Sequence, residues 1–437
     1  MKSRVPKVLQ TVGGQPMIIH VLDTVLQLQP AGIHVVFNPA TPEVRESCAA
    51  YDITWAAQTE QLGTGHAVAQ AMPAIPDEAD VLVLYADIPL LEAGVLHDLV
   101  GSASTGIKVL TMHIDKPAGY GRIVRDETGS ISGIVEERDA SEVQRAINEV
   151  NTGIIMAPCT VLMSCLERMG SDNSQNEYYL TDVVSIAYEQ GIPATGVIAP
   201  VAKDLEGAND RIQLAELEAR YRMKRSTELM QAGVQLADPK RIDIRGSVEA
   251  GSDVFIDVNV VLEGEISLGD AVQIGPGCVL KDCKLAAGTR VHAYSVLEGM
   301  CSLGACDIGP FARVRPGTEL NKGSKVGNFV EVKNTSLGKN SKASHLSYLG
   351  DSSIGERVNI GAGTITCNYD GVNKYRTVIE DDVFIGSDTQ LVAPVTVGEG
   401  ADIGAGSTIT KDAPAGKLTI SRARQTTIRG WKRPVKK

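Results

Sequence analysis

Aromatic residues make up only 4% of this 437-residue chain, which excludes a core built mainly on large rings. No C-x-x-C pair occurs among the eight cysteines, so the spacing used by zinc sites and thioredoxin-like redox centres is missing. No apolar run approaches the roughly 20 residues that span a bilayer. The opening Met1-Lys-Ser-Arg-Val-Pro6 has no apolar core of a secretory signal. Together these absences make the cytoplasm the expected location, without a membrane partner. Basic charge is also short overall. A net charge of −11 excludes nucleic acid as a general partner. The local exception is Lys417 to Lys437, with eight Lys or Arg and no acid. It reads either as a solvated tail or as a clamp for a phosphorylated ligand.

The length exceeds what one core organises, so two domains are expected. Hydrophobic residues at 43% suffice for globular cores. Cysteines stand at 48, 159, 165, 278, 283, 301, 306 and 367, and read as reduced core thiols.

The strongest pattern is an internal repeat with a period of six. Ile256, Leu262, Leu268, Ile274 and Leu280 hold it without a break. Leu285, Val291, Leu297 and Leu303 resume it, as do Ile308, Val314, Leu320, Val326 and Val332. Ile354 and Ile360, then Ile385, Leu391, Val397, Ile403 and Ile409, carry it onward. Helices bury every third or fourth residue and single strands every second. A period of six fits a short strand plus a sharp turn, one flat side of a three-sided coil. Each coil then takes about 18 residues and buries its apolar side only by stacking on its neighbours. Glycine directly after the apolar position, as at Gly269, Gly275, Gly327 and Gly386, is expected to help the chain turn. The period breaks between Val332 and Ile354 and between Ile360 and Ile385, and both breaks read as extended loops suited to function.

From Pro6 to about Pro200 apolar strands alternate with amphipathic helices. Ile33–Phe37, Val81–Tyr85 and Ile107–Thr111 read as strands, Met17–Gln29 and Leu91–Ser102 as helices. That order predicts an α/β sheet of parallel strands with ligands at the strand ends. Asp87, just past a strand, is placed to hold Mg²⁺ or to be an ordinary turn aspartate. Gly63-Thr64-Gly65 opens a helix and is placed to bring backbone N–H groups to a ligand, or simply to cap it. Asp204 to Ala232 reads as a linking helix, closed by Asp238-Pro239.

These motifs occur in a familiar order. Pro6-Lys-Val-Leu9, Gln61-Leu-Gly-Thr-Gly-His-Ala67, Tyr85-Ala-Asp-Ile-Pro-Leu90, Gly119-Tyr-Gly-Arg-Ile123, Ile134-Val-Glu136, Glu149-Val-Asn-Thr-Gly153 and Glu177-Tyr-Tyr-Leu-Thr-Asp182 come first. Arg313-Val-Arg-Pro-Gly317, Gly327-Asn-Phe-Val-Glu331, the run Asn359 to Gly371 and the run Gly386 to Pro394 follow. Over essentially its whole length the chain resembles the bacterial bifunctional N-acetylglucosamine-1-phosphate uridylyltransferase/glucosamine-1-phosphate N-acetyltransferases, enzymes of UDP-N-acetylglucosamine supply. The resemblance implies an α/β Rossmann-like nucleotidyltransferase domain over 1–203, a helical linker over 204–240, a left-handed parallel β-helix over 241–421 and a basic tail over 422–437.

It also implies chemistry. In the first domain UMP passes from UTP to N-acetylglucosamine 1-phosphate. Asp87 and Asn209 would hold Mg²⁺, and Lys7 would meet nucleotide phosphates. Gln58, Gly63 and Thr64 would hold uracil, with Tyr85 also at the nucleotide or sugar. Gly121, Glu136 and Asn151 would hold the sugar. In the β-helix an acetyl group passes from acetyl-CoA to glucosamine 1-phosphate, with His345 as general base. Arg315, Lys333, Tyr348 and Asn359 would grip the sugar phosphate. Ala362, Asn368, Tyr369, Ser387, Ala405 and Arg422 would meet acetyl-CoA. A homotrimer is implied as well.

Two departures stand out. The family has Tyr-Gly-Asp where this chain has Tyr85-Ala86-Asp87. The family also opens with an apolar strand and a glycine-rich loop, whereas this sequence starts at what matches the motif's last residue. From that comes an expectation of a missing first strand and impaired uridylyl transfer, with a monofunctional acetyltransferase as the alternative. A β-helical metal enzyme resembling γ-type carbonic anhydrases needs three histidine ligands, and the repeat region has only His292 and His345. A non-catalytic assembly protein is the remaining alternative, and the loop around His345 argues against it.

Overall fold

The computed structural model describes residues 1–101 and 105–436. The chain forms two compact units, Met1–Tyr221 and Arg222–Lys437, and the division falls within the helix Arg211–Gln231. Residue 437, the end of the basic tail, lies outside the described residues.

The first unit is α/β. Its six-stranded sheet is centred on Ile107–His113 and Glu149–Pro158, whose apolar and β-branched residues are buried on both faces. Among the described residues, only one pairing in this sheet is parallel, that of Ala194–Ile198 with Ile107–His113. Asp80–Val83 and Ile107–His113 both run antiparallel to Glu149–Pro158. The expected all-parallel sheet is therefore a mixed one. Its reversal comes from the hairpin Arg122–Arg125/Ile131–Val135, which turns at Gly129 (φ +86°) and which a strand–helix alternation does not reveal. His34–Phe37 and Thr54–Ala57 form a separate parallel pair.

The helices match in place and fall short in length. Met17–Leu26 starts directly after Pro16 and buries Ile18, Ile19 and Leu22. The helix expected over Leu91–Ser102 is Ala93–Val100, and residue 102 lies outside the described residues.

The second unit is a parallel β-helix. One face is an eleven-stranded sheet, every pair parallel, and the others merge into a sixteen-stranded sheet. Register pairing stacks Ile256, Ile274, Val291, Ile308, Val326, Ala343, Ile360, Ile385 and Ile403 in one inward column. All nine are buried. Each contributes on the order of 1.5–3 kcal/mol, less for Ala343. No aromatic ring belongs to this core among the described residues. Tyr294, Phe311 and Phe329 instead stack outside on successive coils, with ring centroids 5.6 and 5.3 Å apart. Among the described residues the last rung is Leu418–Thr419 on Asp402–Ile403.

Three details of the repeat differ from expectation. Leu303 is 59% exposed and Ser302 points inward instead, because the coil from Leu285 to Ser302 is one residue short and a one-residue slip swaps faces. The break between Val332 and Ile354 is no loop. Leu337, Ala343 and Leu349 continue the core through it, and His345 ends a regular strand, Lys342–His345. Only the second break leaves the coil, as a small hairpin in which Tyr369 bridges Lys374. Glycine's role differs too. A Cβ on Gly327 would lie 2.0 Å from Ser344 O, and one on Gly386 2.5 Å from Ala405 N, so these glycines admit the next coil's backbone. The turns themselves fall on left-handed corner residues, glycines such as Gly309 and Gly317 among them, alongside Asn259, Phe311 and Asp388.

Candidate functional site

In the first unit, seven of the expected residues line one cleft of about 520 Å³: Lys7, Tyr85, Asp87, Gly121, Glu136, Asn151 and Asn209. At its floor the Lys7 ammonium meets the Asp87 carboxylate and the Asn209 side-chain carbonyl, the latter at 2.6 Å. Two oxygens from distant parts of the chain thus converge on one cation. That donor set suits a hard divalent cation, whose other positions water or phosphate oxygens can fill.

Glu136 and Tyr85 add acidic and aromatic lining to the same cleft. Burial raises the Glu136 carboxyl above the usual range, against a 3.1 Å hydrogen bond from the Thr181 hydroxyl. Burial, then Glu136, also raises Asp182. The Tyr85 phenol is pushed up to about 12 by burial, then by Glu136 and Asp87. Its ring lies where a Cβ on Gly153 would be, only 1.9 Å from Tyr85 Cε2.

Gln58, Gly63 and Thr64 do not line this cleft and form a separate cluster. Gly63 (φ +113°) leads into the helix Thr64–Ala71, and Gln58 Nε2 donates to Gly63 O at 3.2 Å. The Thr64 hydroxyl accepts from Leu180 N at 3.0 Å, tying the turn to the segment that carries Thr181.

In the β-helix, position along the coil organises the expected site. His345, Ala362, Ser387 and Ala405 each lie two residues past the inward column, after Ala343, Ile360, Ile385 and Ile403. They therefore form an outer column on four successive coils. Arg422 Nη1 donates to Ala405 O at 2.5 Å and joins the column at its end. Asn328, which the sequence reading did not single out, heads it. It pairs in register with His345, and its Oδ1 lies 2.6 Å from His345 Nδ1.

A second group lies on the sixteen-stranded sheet. Arg315 Nη1 donates to Glu331 Oε1 at 2.9 Å, and Glu331 pairs in register with Tyr348. Lys333 pairs with Gly350, where a Cβ would come 2.4 Å from the Tyr348 hydroxyl and 2.9 Å from Asn368 Nδ2. Tyr348 and Asn368 thus close over the same glycine. Asp351 receives hydrogen bonds from Asn334, at 2.7 Å, and from Asn368. Burial works to raise the Asp351 carboxyl, yet these bonds with Lys333 and Lys374 outweigh it and hold the group below the usual range. Asn359 sits in the eleven-stranded sheet between Lys342 and Phe384, and Tyr369 caps the hairpin by donating to Gly371 O at 2.5 Å.

Four residues of these sites escaped the sequence reading: Thr181, Asn328, Glu331 and Asp351. Asn328 and Glu331 lie inside the motif Gly327–Glu331, and Thr181 inside Glu177–Asp182, so the segments were visible though the side-chain partners were not.

Comparison with known proteins matches the same two halves. Residues 1–148 match the family model of the MobA-like NTP transferase domain. Residues 376–411 match that of the bacterial transferase hexapeptide, six repeats. The chain is 54% identical over 438 residues to the bifunctional protein GlmU of Stenotrophomonas maltophilia, covering 100% of this chain and 96% of that protein. It is 52% identical to that of Ralstonia nicotianae, with the same coverage, and 53% identical to that of an Azoarcus species, covering 97% of it.

Proposed function

Since the chain belongs to the family of the bifunctional GlmU proteins, we propose that the two sites described above divide two group transfers between them. The enzyme is a glucosamine-1-phosphate N-acetyltransferase and an N-acetylglucosamine-1-phosphate uridylyltransferase. Its fold is a Rossmann-like nucleotidyltransferase domain followed by a left-handed parallel β-helix of hexapeptide repeats. We place the domain limits at 1–203 and 241–421, with a linker over 204–240 and a basic tail over 422–437.

Acetyl transfer is assigned to the outer column of the β-helix. The amine of glucosamine 1-phosphate attacks the thioester carbonyl as His345 Nε2 takes an amine proton. The C–N bond forms, the C–S bond breaks, and the coenzyme A thiolate leaves with the proton His345 held. Arg315 grips the sugar phosphate as a fork and Lys333 as a point charge, with Tyr348 and Asn359 beside them. Ala362, Ser387 and Ala405 offer small side chains along the coils where acetyl-CoA lies. Asn368, Tyr369 and Arg422 complete its groove.

Uridylyl transfer is assigned to the cleft of the first unit. A phosphate oxygen of N-acetylglucosamine 1-phosphate attacks the α-phosphorus of UTP, and pyrophosphate leaves. The catalysis lies in positioning and charge neutralisation. Gly121, Glu136 and Asn151 orient the sugar, with Tyr85 at the nucleotide or sugar. Gln58, Gly63 and Thr64 hold uracil, and Lys7 neutralises phosphate oxygens. Asp87 and Asn209 would hold the divalent metal, which we take to be Mg²⁺, and its charge would offset that of the phosphates. The convergence of Asp87 and Asn209 on one cation is the observation that carries this reading. The expectation of impaired uridylyl transfer draws no support from these residues.

We place the enzyme in the cytoplasm as a homotrimer. The exposed column of Tyr294, Phe311 and Phe329 supports the assembly, since a contiguous aromatic stack in water favours burial against another copy. Light scattering should then give three times the 46.4 kDa chain mass. The assignment is tested by assaying both reactions on His345→Ala and Asp87→Asn. Each should lose one transfer and keep the other; a variant that loses both or neither would sink it.

A further inference from the structure

We infer that Asn328 is the positioning residue of the acetyl-transfer site, holding His345 in the tautomer that leaves Nε2 free to take a proton. The inference rests on His345 being the base. It goes beyond that reading by naming what makes the imidazole competent.

The argument starts from coil geometry. Asn328 and His345 are seventeen residues apart and face each other in register on neighbouring coils, two residues past Val326 and Ala343. Both inward residues are fully buried, so the backbone beneath the pair is fixed by the core. The exposed imidazole therefore gains its orientation from the half-buried amide one coil below.

The chemistry follows from the inventory of donors and acceptors. Asn328 Oδ1 only accepts, so the ring nitrogen 2.6 Å away carries the proton. With Nδ1 protonated, the lone pair of the neutral ring lies on Nε2, on the opposite side. Free imidazole interconverts between two tautomers, only one of which has a base at that end. The amide selects that one and fixes the ring plane. As the ring takes a proton, the Nδ1–H···O bond becomes charge-assisted and strengthens, which favours the transition state over the ground state. An amide does this without adding a negative charge beside a site that must bind a phosphate.

Asn328→Leu, near in size but with no acceptor, should lower kcat of acetyl transfer between about ten- and a hundredfold, less than the 10²–10⁴ at stake when a general base is lost. KM for both substrates should change little, and uridylyl transfer, as a control on folding, should be unaffected. Asn328→Asp keeps the acceptor and should recover most of kcat. Its charge should move the acid limb of the kcat–pH profile to higher pH. The ¹⁵N spectrum of histidine-labelled full-length protein, with the His345 signals identified by their loss in His345→Ala, should show Nδ1 protonated and Nε2 not. A His345 found protonated at Nε2, an Asn328→Leu enzyme with native kcat, or Leu and Asp variants equally damaged would overturn the inference. Acetyl transfer surviving in His345→Ala would instead remove the base assignment on which it stands.

Discussion

Arg315 and Glu331 are joined across neighbouring coils, Nη1 to Oε1 at 2.9 Å, and both side chains remain about 40% exposed. An ion pair this open adds little to stability. It does aim the guanidinium while leaving part of its fork accessible to a phosphate. Arg315→Ala should therefore raise KM for glucosamine 1-phosphate by about ten- to a hundredfold, with an unchanged melting temperature. Arg315→Lys should recover only part of this, since a point charge lacks the fork. Steady-state kinetics with the sugar phosphate varied makes the comparison, and equal KM values for all three enzymes would refute it.

Chelation should separate the two activities. EDTA is expected to stop uridylyl transfer and leave acetyl transfer intact, because the proposed uridylyl site uses the metal that Asp87 and Asn209 would hold, whereas the proposed acetyl-transfer step uses none. Asp87→Asn should cost uridylyl transfer at least about a hundredfold and increase the Mg²⁺ needed for half-maximal rate. Parallel assays of pyrophosphate release and thiol release read both effects from one preparation.

The Asp351 carboxyl gives a pH signature. Its acidity in the folded state is increased, so it contributes stability that is present above its unfolded value near 3.8 and is lost as pH falls through the lower folded value. Asp351→Asn should thus be less stable than the parent at neutral pH, and the gap should narrow as pH drops below 3.8. Denaturant titrations at several pH values test the sign, and a gap that widens in acid would contradict it.

Cys278, Cys283 and Cys306 have thiols that burial pushes up to about 11. At pH 8 roughly one in a thousand is thiolate, and the core shields even that fraction. A thiol reagent should leave these three silent in the native protein and label them once it is unfolded. Cys301 and Cys367 are only half-buried and should react first, as peptide mapping after brief labelling would reveal.

Gly327→Ala places a methyl 2.0 Å from Ser344 O. Neither backbone can yield without shifting a coil, so a cost of about 2 kcal/mol is expected. Acetyl transfer should suffer more than this stability loss implies, because Asn328 is the next residue and Ser344 precedes His345. Calorimetry and kinetics on the same sample separate the two effects.

Much of this was legible in the residues, for a physical reason. A solenoid repeats one local environment, so Ile256, Ile274 and Ile308 announce their burial through period alone. Leu303 was counted as inward and Ala343 passed over, because a coil one residue shorter changes which side chain faces in, and a count of six cannot see it. The first unit's mixed sheet was hidden because strand direction depends on pairings far apart in sequence, such as Leu82 with Met156. The individual site residues came from motif resemblance. Partners such as Thr181 for Glu136 needed three dimensions, since forty-five positions separate them.

The rung at Leu418–Thr419 is the last of the stack among the described residues, resting on Asp402–Ile403 below it. A stack that adds rungs through nearest-neighbour contacts frays from its ends, so hydrogen exchange there should be fastest and slow coil by coil inward. Ala405 and Arg422 lie at that fraying end, while His345 lies several rungs inside. On the proposed assignment, the acetyl-CoA end of the groove would then sit on the least protected backbone and the proton-accepting end on more protected backbone. A ligand spanning both would act as a splint, and its binding should register first as slowed exchange in the final coils.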